Sequence, residues 1–456
     1  MSSPGGADVR TVEPVEGRLD ATVTVPGSKS LTNRALVCAA LADGVTAIDG
    51  ALVADDTEAM ASALQALGAD IVAGPSDREG VGGAPAPARL TVTGTGGDLA
   101  SGPLDLDVRL SGTTSRFLLP VVALGSGRYR LDGRPPLRAR PMGPVLAGVE
   151  ALGAPVESHG PAGHLPVTVV APGHLIGGEV DVPGDRSSQY VSGLLLAAPY
   201  CRDGLRVRVT TRLVGRPFVD MTVAVMAAFG VVVAVADDVG GPMFTVPPGR
   251  YRGTGYRVEP DASAASYFLA AAAICGGRVT VEGLGDSSLQ GDAGFADLLA
   301  AMGAGVERSA GATTVTGPGH LRGLGDVDLS AMPDMAQTLA AVAAFADGPT
   351  RVGGIGFIRG HETDRIAATV RELRRCGVDA REERDGFVVH PGIPHPARVA
   401  TYDDHRMAMS FALLGLRVAG IEIENPGCVA KTFPGYWDTL DQLRPGGGST
   451  GRVARS

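Results

Sequence analysis

The 456-residue chain is 44% hydrophobic and 20% charged, a balance that excludes a disordered or fibrous protein and is too long for one ordinary core, so two or three domains are expected. A formal net charge of -9 argues against a nucleic-acid-binding surface, because a phosphate backbone needs a basic face. No apolar run reaches the roughly 18 residues of a membrane span, and the opening MSSPGGADVRTVEPVEG has no basic segment followed by an apolar one, which predicts a cytoplasmic protein without membrane partners.

In chain order, a polar cluster, GSKSLTNR from residue 27, opens an Ala-rich helix, and a second helix ends in ALGAD (66–70), where glycine is the expected stop. The Pro, Ala and Gly stretch at 74–88 reads as a surface loop. SGTTSR from 111 opens the next helix, RARPM places Arg140 at a turn, and ALGAP (151–155) closes another helix. DRSSQY from 185 and AFGVV (228–232) repeat the pair. The Gly- and Pro-rich segment 240–260 marks a candidate hinge near Gly253 to Val258. Beyond it come DASAASY from 261, AMGAG (301–305), PDMAQT from 333, RGHETDR (359–365), RCGVD (375–379), DDHRMAM from 403 and AKTFPGY with Lys431. GGGSTGRVARS at the end reads as a frayed tail.

Six polar helix starts recur every seventy to eighty-five residues or so, a period too long for a solenoid. Each unit reads as a small α/β fold: strand, polar-start helix, strand, glycine-ended helix, further strands. Three such units form one lobe (27–257), and the other three, with an N-terminal strand, form the second (1–26 and 258–456); hinges are expected near 26–27 and 253–258.

Of 40 basic residues only Lys29 and Lys431 are lysine, and both sit in small polar motifs, PGSKS and VAKTF. Arginine replaces lysine wherever a generic cation suffices, so the two survivors mark places that need a compact ammonium. A helix start presents unpaired N–H groups and a positive dipole end, and grouped starts make an anion site; Ser and Thr there are also ordinary N-caps. Lys29, Arg34, Arg116, Arg186 and Arg406 belong to such starts, while Arg140, Arg359, Arg365 and Lys431 stand near turns. Guanidinium groups bind carboxylates and phosphates through two parallel hydrogen bonds, which suggests substrates with several negative charges; for Arg116 and Arg359 a structural bridge to Asp or Glu is the expected role. Asp334, Glu362, Asp404 and His405 are the candidate acids and bases, and Asp364 a structural partner of arginine. Cys38, Cys201, Cys275, Cys376 and Cys428 are odd in number, widely spaced and without a C-x-x-C pair, so they read as buried small hydrophobes and no metal is expected. Walker, H-E-x-x-H and Rossmann patterns are lacking in the sequence.

PGSKSLTNR, SGTTSRF, RARPM, SSQY, DASAASYFLAAAA, PD, HETDR, YDDHRMAM and AKTFPGYW, in that order, resemble the 5-enolpyruvylshikimate-3-phosphate synthase family nearly end to end, with HETDR in place of the commoner KETDR looking like its actinobacterial branch. The resemblance implies an α/β, two-lobed enolpyruvyl transferase fold of six βαβαββ-type units, no cofactor, a monomer, and transfer of the enolpyruvyl group of phosphoenolpyruvate to the 5-hydroxyl of shikimate 3-phosphate through a tetrahedral intermediate. It implies that shikimate 3-phosphate is held by Lys29, Ser30, Arg34, Ser187, Ser188, Gln189, Asp334 and His361, and phosphoenolpyruvate by Lys29, Gly112, Arg140, Gln189, Arg365, Arg406 and Lys431. Asp334 and Glu362 become the proton-handling carboxylates, with Lys29 and His405 beside them. Gly215, Phe218 and Phe357 depart from the family's usual Ser, Tyr and Asn at acceptor contacts, where Arg186 or Arg216 would have to supply the lost donors. They keep open a paralogue acting on a related cyclohexene acid and an inactive phosphate-binding homologue. A UDP-N-acetylglucosamine enolpyruvyl transferase is disfavoured because residues 100–145 contain no cysteine.

Overall fold

A computed structural model describes residues 8–75, 88–238 and 241–444. The chain divides into two compact units, one of residues 1–25, 260–288 and 292–456, the other of residues 26–259 and 289–291. They are called unit 1 and unit 2 below.

Five sheets share one strand pattern. In unit 2, Gly178–Val182 runs parallel to Leu205–Val209, which pairs antiparallel with Gly241–Val246, itself antiparallel to Ala234–Asp238. The connection between the two parallel strands carries the polar-start helix Ser188–Ala197, as a parallel pair requires a crossover. The glycine-ended helix Arg216–Ala228 precedes the closing hairpin. The same order holds for Leu104–Asp107, Ser126–Asp132, Val167–Pro172 and Val156–Ser158, and in unit 1 for Gly325–Asp328, Thr350–Gly353, Gly386–Val389 and Ala380–Glu383.

The first and fourth modules exchange strands. Leu19–Val23 precedes the Lys29–Leu41 helix in sequence but pairs with Gly277–Glu282 of the fourth module. Conversely, Gly255–Arg257 precedes the Ala262–Cys275 helix but pairs with Val45–Ala51 of the first. The sixth sheet has three strands, because Val9–Val12 closes it against Ile421–Glu424, which is parallel to Ala397–Val399. The modules are therefore not six contiguous blocks.

The proposed linker is also more ordered than its composition suggests. Residues 241–246 and 255–257 are strands; Pro242 sits at the start of its strand, where a missing N–H is tolerated. Val258 N donates to Asp49 O and Ser28 N to Glu259 O, both at 2.8 Å. A third excursion was not visible in the sequence: Leu289–Gly291 belongs to unit 2, where Leu289 N (3.0 Å) and Gln290 Nε2 (3.1 Å) donate to the Glu259 carboxylate. Of the stretch 74–88, Gly74 and Pro75 end one strand and Ala88 begins another, while 76–87 and the tail 446–456 lie outside the described residues.

The five Gly-ended helices all finish in one motif. Gly68, Gly153, Gly230, Gly303 and Gly377 have φ from 80° to 107°, a region where a Cβ is strained. In each, the next residue's N–H reaches back to the carbonyl five residues before it, from Ala69 to Leu64 through Val378 to Leu373, at 2.9–3.2 Å, which satisfies a carbonyl the helix end leaves open. The polar-start helices are buried on nearly every face, as with Gly112–Val122 and His405–Gly415, which marks them as the central helices of each unit. Small side chains let them pack closely, with Ala262–Cys275 burying all but Ser263 and Cys275. Cys38, Cys201 and Cys376 are buried as expected, whereas Cys275 and Cys428 are half-buried.

Candidate active site

In unit 2 the three central helices are capped by serine. Ser28, Ser111 and Ser187 accept from the N–H groups of Leu31, Thr114 and Gln189. Lys29 opens the first of these helices, with Nζ 3.3 Å from Asp56 Oδ2. One turn on, Arg34 is buried, and among the described residues its guanidinium donates to neutral partners: Thr222 Oγ1 at 2.7 Å, Phe218 O at 2.8 Å, Ser30 O at 2.9 Å and Ser192 Oγ at 3.4 Å. Phe117 lies against its face, 5.1 Å from the ring centroid. Burial lowers this guanidinium to about 10, and no carboxylate among the described residues offsets the loss.

Gly112 leaves room for a side chain of its own protein. A Cβ there would stand 2.8 Å from Arg140 Nη1, so glycine lets the Arg140 guanidinium lie against the helix start. The family resemblance named this glycine only as a phosphoenolpyruvate contact. Arg116 donates to Gln189 Oε1 at 2.7 Å and to Pro141 O at 3.3 Å, with Tyr190 under its guanidinium. Gln189 Nε2 then donates to Thr113 Oγ1 at 3.1 Å, so Arg116 and Thr113 fix which end of the amide points where. Ser188 is buried beside Gly215, where a Cβ would come 3.2 Å from Ser188 Oγ; φ of +60° suits glycine at that cap. Of the two arginines considered as replacement donors, Arg216 is committed to Asp237 (2.7 Å) and Asp220 (3.5 Å), and Arg186 is exposed.

Unit 1 holds its cations differently. Asp261 and Asp404 cap the Ala262–Cys275 and His405–Gly415 helices, accepting from Ala264 N and Arg406 N at 2.9 Å. Arg365, buried, lies among three carboxylates: Asp404 Oδ2 at 2.7 Å, Asp334 Oδ1 at 2.9 Å and Glu362 Oε2 at 2.9 Å. Asp334 is shared with Arg406 at 2.7 Å, and Glu362 with Lys431 at 3.1 Å. Burial would push Arg365 down, but Asp404, Glu362 and Asp334 together hold it well above its ordinary value. Arg406 is likewise raised against the opposing effect of burial, chiefly by Asp334.

Side-chain exposure separates the roles within this network. Asp404 is 0% exposed, whereas Asp334 and Glu362 are 20% and 16% exposed and can be reached. Asp404, a candidate acid or base from sequence, is thus the lock that orients Arg365. His405 is buried behind it, with Nδ1 3.7 Å from Asp404 Oδ1. His361 Nδ1 lies 3.5 Å from Arg365 Nη1, with its ring edge-to-face against Phe357 at 5.9 Å. Asp364 caps the Arg365–Arg375 helix and pairs with Arg359, which also meets Glu382, so both keep the structural roles expected of them.

The model of the EPSP synthase (3-phosphoshikimate 1-carboxyvinyltransferase) family matches residues 14–440. The chain belongs to this family. It is 45% identical over 426 residues to the 3-phosphoshikimate 1-carboxyvinyltransferase of Nostoc punctiforme, covering 93% of this chain and 96% of that protein. The enzyme of the same name from Methanosphaerula palustris is 44% identical, with 93% and 97% covered. Among solved structures, an EPSP synthase from Acinetobacter baumannii superposes with a TM-score of 0.79 at 27% identity, covering 95% of this chain and 98% of that one. The enolpyruvyl transferase NikO from Streptomyces tendae, at 20% identity, shares the fold with a TM-score of 0.73 over 96% of this chain and 98% of that one. The architecture is accordingly the α/β, two-lobed enolpyruvyl transferase fold.

Proposed function

We propose that the chain transfers the enolpyruvyl group of phosphoenolpyruvate to the 5-hydroxyl of shikimate 3-phosphate and releases phosphate, as a 3-phosphoshikimate 1-carboxyvinyltransferase of the shikimate pathway. One observation carries the chemical part of this reading: Arg365, buried, bridges two accessible carboxylates, each of which has a second cation, Arg406 on Asp334 and Lys431 on Glu362. The two arginines on Asp334 favour its ionised form, able to accept a proton, and the cations around both carboxylates compensate charge that shifts during addition and elimination.

In this reading Asp334 takes the proton of the 5-hydroxyl as its oxygen adds to the enol carbon. Glu362, entering the cycle protonated and assisted by Lys29, supplies its proton to the methylene; the tetrahedral intermediate then expels phosphate as Glu362 takes a proton back from the methyl group and Asp334 gives its proton to the leaving phosphate. Shikimate 3-phosphate is assigned to Lys29, Ser30, Arg34, Ser187, Ser188, Gln189, Asp334 and His361. Arg34 contributes chiefly its uncompensated charge, since its donors already serve Thr222, Ser192, Phe218 and Ser30. Phosphoenolpyruvate is assigned to Lys29, Gly112, Arg140, Gln189, Arg365, Arg406 and Lys431. His405 acts through Asp404 and not on a ligand. The chain is taken to work as a cytoplasmic monomer without a cofactor, with lobes of residues 1–26 plus 258–456 and 27–257. No helix among the described residues is long and apolar enough to cross a membrane.

Phosphate release tests the assignment. Shikimate 3-phosphate and phosphoenolpyruvate together should give steady release, and either alone none; release with a related cyclohexene acid but not with shikimate 3-phosphate overturns the acceptor.

A further inference from the structure

Asp292 lies in the Gly291–Gly294 turn, outside every motif assigned above. It is 4% exposed. Its Oδ2 accepts a hydrogen bond from Ser263 Oγ, whereas Oδ1 is buried and has no hydrogen-bond partner among the described residues. Ser263 stands in the first turn of the Ala262–Cys275 helix, and its oxygen receives Arg406 Nη2 at 3.4 Å. Arg406 also donates to Asp334. A carboxyl, a hydroxyl, a guanidinium and a carboxylate are thereby linked in series.

The charged groups facing Asp292 come from three elements: Asp261 at the cap of the Ser263 helix, Asp334 from the Pro333–Met335 turn, and Arg406 from the His405–Gly415 helix. A buried anionic oxygen without a donor is far costlier than a neutral carboxyl in the same place. Burial, then repulsion from Asp334, pushes the group up to about 7, against the pull of Arg406 and Ser263.

We propose that Asp292 is a positioning residue that, while it carries its proton, leaves Arg406 available to phosphoenolpyruvate, and that on ionising competes for Arg406 and weakens that binding. The inference rests on the assignment of Arg406 to phosphoenolpyruvate. By reciprocity, the bound anion favours the protonated carboxyl, so phosphoenolpyruvate binding takes up a proton at Asp292.

The test compares KM for phosphoenolpyruvate in the wild type and Asp292→Asn between about pH 6.5 and 8.5. Ligand ionisation is common to both proteins and cancels in the ratio. The wild-type KM should rise roughly three- to tenfold more than that of the variant, a factor of ten corresponding to one unit of coupling, with kcat following the same profile in both. Superposable KM profiles overturn the proposal. If Asp292→Asn does not fold, calorimetric titration of wild-type enzyme with phosphoenolpyruvate at about pH 8, in buffers of different ionisation enthalpy, decides instead. Proton uptake supports the proposal and its absence defeats it. Arg406→Lys separates the two levels: an unchanged KM for phosphoenolpyruvate sinks the underlying assignment, whereas a raised KM with superposable Asp292→Asn profiles sinks this inference alone.

Discussion

In unit 2 the central helices start on serine and the buried Arg34 is held by hydroxyls and carbonyls, whereas in unit 1 two of the central helices start on aspartate and Arg365 is packed among three carboxylates. Neutral caps satisfy helix N–H groups without cancelling the dipole, so unit 2 keeps positive potential for an anionic ligand. Anionic caps and counter-ions cancel the charge of unit 1 in advance, and an incoming anion there must exchange partners with Asp334 or Glu362. On the proposed assignment, the same repeated module supplies most acceptor contacts in unit 2 and the proton-handling carboxylates in unit 1.

The largest effect that can break this comparison is catalytic. If the unit 1 carboxylates were only counter-ions, Asp334→Asn would cost stability and spare turnover; the expected outcome is a loss of about 10²–10⁴ in kcat, read by phosphate release at saturating substrates. A second test compares what each unit loses when a buried arginine loses a partner. Asp404→Ala should destabilise by about 3–5 kcal/mol, because Arg365 is left with a buried charge poorly matched. Thr222→Val beside Arg34 should cost about 1.5–3 kcal/mol, the range for one hydrogen bond to a charged group. Denaturant unfolding measures both, and equal losses would erase the distinction. The smallest expected effect concerns the caps. Ser187→Asp should keep the helix within about 0.5 kcal/mol, since both residues cap well. It should nonetheless raise KM for shikimate 3-phosphate several-fold, by an amount that shrinks with added salt.

The pH dependence of folding gives a further check on unit 1. The Asp292 carboxyl titrates higher in the native state than in an unfolded chain, so its favourable contribution is complete below the ordinary carboxylate range and is lost as pH rises through about 7. Unfolding midpoints of Asp292→Asn should therefore fall less than those of the wild type as pH rises from about 4 to about 7, with little further difference above that.

Local chemistry made much of the fold legible. The five glycine stops are what a helix end requires of one residue with positive φ, and five of the six polar starts supply the capping side chain an N-terminus requires, whereas the Ala336–Ala343 helix follows Met335 without one. Candidate site residues were legible for the same reason at Lys29 and Lys431, whose charges sit in otherwise small, polar motifs. Pairings across long separations were not legible. Nothing near Asp404 announces that Arg365, 39 residues earlier, will bury it, and nothing near Gly112 announces Arg140. Asp292 gave no signal because an aspartate after glycine reads as an exposed turn, and only the covering helix makes it a buried acid.

Composition, periodicity and caps, acting within a few residues, determined by themselves that this chain builds repeated α/β modules with cationic helix starts. Tertiary structure alone decided that Leu19–Val23 and Gly255–Arg257 trade sheets, that Asp404 locks while Asp334 and Glu362 stay reachable, and that Arg34 donates to neutral partners. The reason is physical: strand pairing and burial of charge depend on which distant segments arrive as neighbours, and a sequence window contains no information about the dielectric its residues will meet.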